Sequence, residues 1–232
     1  MSWNVSEITA GTRAIAPLVV AVVPIGLVFG AVAATKGLSP AEALLMSALV
    51  FAGGSQFVAM DIWTHPASVA GLGIAALLVN IRHTLMGVSL GTKLDAFSSS
   101  QKIAAMLFMA DEIWAVAEFR ARAGRLTPLW YLGVVAPFYS AWVLSGFTGA
   151  LIGALLGDPV VYGLDFVFPA IFIVLVMGFW KGSETGAVLA ASAAAALTVN
   201  HYVPGVWSIL AGALGGLAAA TVAVLWWPGA GE

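Results

Sequence analysis

Three short stretches carry most of the chemistry that this chain places in apolar surroundings. The first is "LLVNIRHTLMGVSL", residues 77–90, with an amide, a guanidinium and an imidazole at Asn80, Arg82 and His83. The chain around them, from Ala67 to Gly91, is otherwise apolar, glycine or small hydroxyl residues. An ionised side chain at the middle of a bilayer costs about 2.5–3.5 kcal/mol on insertion scales. Helical spacing sets Asn80, His83, Thr84 and Gly87 on one face and Arg82 on another. Lipid cannot solvate both faces, so protein or water must. The plainer alternative has Arg82 snorkelling to an interface and Asn80 bonding a neighbouring helix.

The second stretch is "LVFAGGSQFVAM", residues 49–60, where Gly53 and Gly54 precede Ser55 and Gln56. Two glycines weaken a helix by roughly 1 kcal/mol each relative to alanine. Backbone freed by a break is tolerated at membrane depth only where it lines a cavity or is buried in protein. A half-helix starting here would offer N–H groups and a positive dipole end to an anion such as a carboxylate. The competing reading is that the glycines only let two helices approach closely.

The third is "FMADEIWAVAEF", residues 108–119. Asp111 and Glu112 are about 100° apart on a helix, and Glu118 shares the Asp111 face two turns on. A carboxyl taken out of water binds a proton more readily, the property a proton-coupled carrier uses. It could equally pair with Arg82, with a substrate ammonium, or with the later arginines at shallow depth.

The composition supplies the solvent these groups must work against. Of 232 residues, 61% are hydrophobic and 9% charged, with a mean hydropathy of +1.01. A soluble domain carries roughly a quarter charged residues, so the charges here cannot cover a water-facing surface. The chain reads as an all-α integral membrane protein, a polytopic helix bundle forming one transmembrane domain over 1–232. A net charge of -2 and the lack of a basic stripe exclude a nucleic-acid partner. Zero cysteines exclude disulfides and thiolate metal sites. The N-terminus, with Glu7 ahead of Arg13, lacks the design of a cleaved signal and reads as a retained lead-in.

Runs of about 20 apolar residues occur at Ala14–Ala34, Ala41–Trp63, Ala67–Gly91, Leu129–Gly157, Gly163–Trp180, Gly186–Val203 and Gly205–Trp227. Leu129–Gly157 is long enough to be tilted or broken at its glycines. Ile103–Phe119, with its three acids, either spans or re-enters, giving seven or eight crossings. Lys93 and Lys102 precede that segment, and Arg120, Arg122 and Arg125 follow it. The positive-inside rule places both groups in the cytoplasm only if the segment dips in and returns. An internal echo joins "LVFAGGSQFVAMDIW", ending at Trp63, to "FVFPAIFIVLVMGFW", ending at Trp180, and "LLVNIRH" to "LTVNHYV". It suggests two repeated halves, about 14–91 and 129–203, of the kind secondary transporters build around a midplane site. Pro24, Gly26 and Gly30 form a candidate hinge in the first helix, serving packing or gating. His201, beside Pro204, reads as interfacial, and Trp226 and Trp227 as belt anchors.

Taken together, "PIGLVFG", "FAGGSQF", "LVNIRHTLMG", "DEIWA" and "GLDFVFPAIFIVL" resemble, in order and spacing, the AzlC-type branched-chain amino acid permeases. The resemblance covers nearly the whole chain. It implies export of leucine, isoleucine, valine and sometimes methionine across the bacterial inner membrane. It also implies a small AzlD-type partner subunit of about four helices. The residues themselves, joined to that resemblance, suggest a mechanism in which the substrate carboxylate binds near Gly53, Gly54, Ser55 and Gln56 with Asn80 and His83 close by. Its ammonium faces Asp111 or Glu112, with Arg82 as an ion-pair partner, and the coupling proton exchanges at that acidic pair or at His83. No cofactor or metal is expected, and a higher oligomer is open. Two rivals remain: a carrier of another small organic solute, and an intramembrane enzyme using His83, His201, Asp111 and Glu112. The enzyme lacks the His/Glu pairs at i, i+3 or i+4 that helix-borne metal sites use and any Gly-x-Ser-x-Gly elbow.

Overall fold

The computed structural model describes residues 5–156, 182–203 and 207–226, with isolated positions between 166 and 180. The described residues are helical, and no strand occurs among them. They fall into two compact units: Met1–Met60 with Val79–Val167, and Asp61–Leu78 with Phe168–Glu232. The second holds a helical pair, Ser183–Tyr202 and Trp207–Trp226. There Gly215 lies against the backbone of Ala191, 3.1 Å from its carbonyl oxygen for an added Cβ. The predicted span Gly163–Trp180 and the second member of the sequence echo lie outside the described residues, apart from isolated positions, as does Trp227.

The first unit is built on two long helices, α1 (Val5–Thr35) and α7 (Pro128–Leu156). Each holds proline, yet neither breaks at it. α7 is therefore continuous where the sequence left a break open. Its glycines serve close approach to α1. A Cβ on Gly30 would run into the Gly146 carbonyl oxygen and lie 2.5 Å from the Ala150 nitrogen. One on Gly149 would collide with the Leu27 carbonyl, and one on Gly26 with the Ser145 side chain. The helices are parallel, since Gly11 meets Gly133 at one end and Ala31 meets Gly153 at the other. Gly26 and Gly30 thus form a packing seam, and the predicted hinge at Pro24 is unbroken helix.

The predicted span Ala41–Trp63 is two half-helices, α2 (Pro40–Val50) and α3 (Gly53–Asp61). α2 starts with a capping box: the Glu42 carboxylate accepts from the Ser39 N–H at 2.7 Å, and the Glu42 N–H donates to the Ser39 hydroxyl. It stops where Phe51 takes a left-handed conformation, φ 40 and ψ 43, unusual for a bulky residue. The chain then turns back. Ser47 of α2 and Phe57 of α3 both lie near the level of Phe29 and Gly146, while Phe51 packs deeper, against Phe138 and Tyr139.

Ile103–Phe119 is broken in the same manner. α5 (Ser99–Leu107) opens with a second capping box, Ser98 with Gln101, and α6 (Asp111–Ala123) follows two residues after the Phe108 cap. The long helix α4 (Val69–Gly91) fixes its direction. Arg82 meets Asp111, and seven residues further along both helices Ser89 meets Glu118, so α4 and α6 run parallel. α5 must then run inward from the end of α4, and α6 back out. Among the described residues, α1, α4 and α7 are long and apolar enough to cross a membrane. The order long helix, capped half-helix, break, half-helix therefore occurs twice, in α1–α3 and α4–α6. The two runs have opposite sense, because α7 begins beside α5: the Tyr131 hydroxyl donates to the Ala105 carbonyl at 2.9 Å. This recurrence spans other residues than the sequence echo.

The returning segment brings Lys93 and Lys102 to the same side as Arg120, Arg122 and Arg125, as the positive-inside rule asks. Single cysteines at Ser100 and Arg125, both exposed, in this cysteine-free chain are expected to react with an impermeant maleimide only after cells are opened. Labelling of one but not the other in intact cells would show that 99–123 crosses.

Candidate functional site

The two breaks meet. A cavity of about 50 Å³ is lined by Phe51 and Gly53 from the first, Ala110 and Glu112 from the second, and Phe138 and Trp142 from α7, with Val22 of α1 at its edge. Roughly 10–15 Å³ of such space is needed for one water, so the chamber has room for a few waters and no more. Tyr139, beside it, is 11 residues into a helix rising about 1.5 Å per residue, which puts the chamber near mid-membrane.

Two helix N-termini open here, and they differ. The first N–H groups of any helix lack intrahelical partners. At α3 those are Gly53, Gly54 and Ser55, and the first turn holds no acid. At α6 the first turn is Asp111 and Glu112, and its N-cap Ala110 supplies no side-chain bond. One end is an unfilled positive pole, and the other is loaded with carboxylates.

The α3 end is held by a buried polar relay. Gln56 is fully buried. Its carbonyl oxygen accepts from the Trp142 indole N–H at 3.0 Å, and its amide donates to the Ser47 hydroxyl at 3.5 Å. Ser55 bonds back to the Ala52 carbonyl and accepts from the Asn80 amide at 3.2 Å. Gly54 faces Arg82: an added Cβ would lie 3.1 Å from a guanidinium nitrogen at the far end of that flexible side chain. Arg82 pairs with Asp111 at 2.8 Å. The Asn80 and Asp111 side chains each keep one buried oxygen without a partner among the described residues. Such groups are costly to leave dry.

Gly53, Gly54, Ser55, Gln56, Asn80, Arg82, Asp111 and Glu112 are thus gathered around the two breaks. His83 is not among them. With Thr84 and Gly87 it lines a separate open groove of about 710 Å³ against Met106 and Met109, although helical spacing keeps it on the same side of α4 as Asn80. Glu118 is ion-paired to Lys93 and accepts from Ser89, with the Arg122 charge nearby. His201 is exposed beside Tyr202. Ser47, Phe138, Tyr139 and Trp142 were not singled out by sequence reasoning. Trp142 carried a usable signal, since tryptophan belongs at the membrane interfaces and this one stands in mid-helix.

Arg82 and Asp111 are about half exposed, 47% and 43%, and each is the other's charge partner. Removing one therefore leaves an unpaired charge on an apolar helix, which costs more than removing both. Arg82→Gln and Asp111→Asn are each expected to lower the melting temperature in detergent, and the double variant to recover part of the loss. Additive losses would show that the pair is incidental.

The sequence profile described as AzlC protein matches residues 17–156. The inner membrane protein YgaZ of Escherichia coli K12 is 32% identical over 90% of this chain and 88% of its own. An uncharacterized membrane protein of Archaeoglobus fulgidus is 33% identical over 77% and 78%. The branched-chain amino acid transport protein AzlC of Bacillus subtilis is 28% identical over 67% of this chain and 61% of its own. No solved structure matches. The matched span runs from α1 to the end of α7 and so contains both breaks and the chamber. The chain is a membrane protein of the AzlC family.

Proposed function

We propose that this protein exports branched-chain amino acids, leucine, isoleucine and valine and in some cases methionine, across the bacterial inner membrane. It does so by proton-coupled exchange, as the large subunit beside a small AzlD-type partner. The observation that carries this reading is the pair of unlike helix N-termini on one chamber. A zwitterion has one group for each: its carboxylate for the unfilled N–H groups of Gly53–Ser55, its ammonium for Glu112. Asp111 is engaged by Arg82, which leaves Glu112 as the carboxylate facing the chamber. Val22, Phe51 and Phe138 offer the apolar wall a branched side chain needs. Discontinuous helices meeting between oppositely directed runs are a recurrent way to build a carrier site at the midplane. The name of the Bacillus subtilis relative points to the same substrates.

The chamber is too small for a leucine at about 50 Å³, so a leucine enters only when the two breaks separate. Proton uptake by Glu112 would release the ammonium, and by Asp111 would release Arg82, either of which would couple the gradient to substrate exit. Efflux of labelled leucine from cells tests the coupling. Asp111→Asn is expected to keep exchange of leucine for leucine while losing gradient-driven efflux. Full gradient-driven transport by that variant would remove Asp111 from the coupling step. Counterflow over a panel of amino acids and other small solutes separates this reading from a carrier of some other solute.

A further inference from the structure

One residue of α7 touches both breaks. The Tyr139 ring meets Phe51 edge-on at 5.0 Å and Phe108 at 5.3 Å. These two phenylalanines are the C-caps of α2 and α5, the residues at which each re-entrant limb stops. The Tyr139 hydroxyl also donates to the Ala48 carbonyl at 2.9 Å. That carbonyl belongs to the last turn of α2, where helix geometry leaves oxygens without partners. Tyr139 thus satisfies the broken end of one limb and packs on the cap of both, while its neighbours Phe138 and Trp142 line the chamber. Aromatic edge-to-face pairs of this kind add stabilisation beyond buried area.

We propose that Tyr139 is a positioning residue that sets the separation of the two breaks, and with it the distance between the carboxylate and ammonium halves of the site. This rests on the transport reading only for its functional consequence; the structural part stands without a substrate. Phe51, held in its left-handed conformation, also meets Phe138 of α7, whereas the ring contact of Phe108 to α7 is to Tyr139. Loosening Tyr139 therefore acts on both breaks and leaves the first with its Phe138 contact. If the limbs sample a broader range of separations, the one spacing at which both helix termini reach the two ends of a single amino acid is populated for less of the time. Apparent affinity then falls by that fraction, while the maximal rate, set by separation, does not.

The chain has no cysteine, so Leu49→Cys and Leu107→Cys can carry a pair of spin labels. Both positions are well exposed, 80% and 71%, and each lies within two residues of a break. In liposomes without ligand, Tyr139→Leu is expected to broaden the inter-label distance distribution, and Tyr139→Phe, which keeps the ring, to stay near the parent. Phe108→Leu, at a partly exposed position, is expected to broaden it too, and decides the matter alone if Tyr139→Leu fails to assemble. In leucine transport, Tyr139→Leu is expected to raise KM about fivefold with maximal rate kept, and Tyr139→Phe to restore most of that. An unchanged distance distribution in Tyr139→Leu, or in Phe108→Leu where only that variant assembles, would overturn the proposal. If the parent itself does not move leucine, the transport reading fails while the distances still decide the role of Tyr139.

Discussion

Glu112→Gln is expected to cut leucine transport at least about 30-fold while leaving the amount of folded protein in the membrane near that of the parent. Glu112 is the one acid named on the chamber wall, and no ion pair holds it among the described residues. Truncating one partner of a desolvated charge pair costs about 2–5 kcal/mol, and each 1.4 kcal/mol is a factor of ten. Glutamine keeps the shape and can still face the helix N-terminus, so the loss should fall on substrate rather than on folding. Uptake into inverted vesicles at saturating and sub-saturating leucine, with immunoblotting for protein level, checks this. Wild-type transport would assign the ammonium to another group.

The second large effect concerns the α1–α7 seam. Gly149→Leu is expected to abolish stable protein. Even a Cβ there would collide with the Leu27 carbonyl and stand 2.7 Å from its carbon, with the Leu27 Cα at 2.8 Å. These are backbone atoms and cannot move aside as a side chain would. Overpacking a tight core costs typically 1–3 kcal/mol, occasionally more, and here the seam of the two longest helices must open. Gly124→Leu, where an added Cβ meets nothing within 4 Å, is the matched control and should express normally. Size-exclusion profiles of the two in mild detergent give the comparison.

Much of the architecture was legible because membranes leave few options. Apolar length found α1, α4 and α7, and the doublet Gly53-Gly54 pointed to a break within two residues of where it lies. Position was the error. The chain leaves the helix at Phe51 and Ala52, and the glycines open the next one, because a helix start tolerates them as its interior does not. The second break was harder to see. Nothing at Phe108–Ala110 disfavours a helix. What ends α5 is a tertiary demand, that Asp111 reach Arg82 while Glu118 reaches Lys93, and the loop charges alone hinted at a segment that returns.

The site divided along the same line. Gln56, Asn80, Arg82 and the acidic pair stood out because polar groups are costly in an apolar chain. His83 stood out equally and lies elsewhere, since cost identifies a buried polar group without saying which neighbour solvates it. Trp142 and Tyr139 were hidden by their ordinary hydrophobicity. In a lipid-facing helix an aromatic ring is unremarked; here one closes the Gln56 relay and the other spans both breaks.

The zwitterion account is tested most directly by what binds the purified protein. Displacement of labelled leucine should be effective with leucine and poor with leucinamide, which lacks the carboxylate, and with 4-methylpentanoate, which lacks the ammonium. In Glu112→Gln the preference for leucine over 4-methylpentanoate should vanish, while the preference over leucinamide persists. Equal displacement by all three in the parent, or an unchanged preference in Glu112→Gln, would contradict a site that reads the two ends of an amino acid with two unlike helix termini.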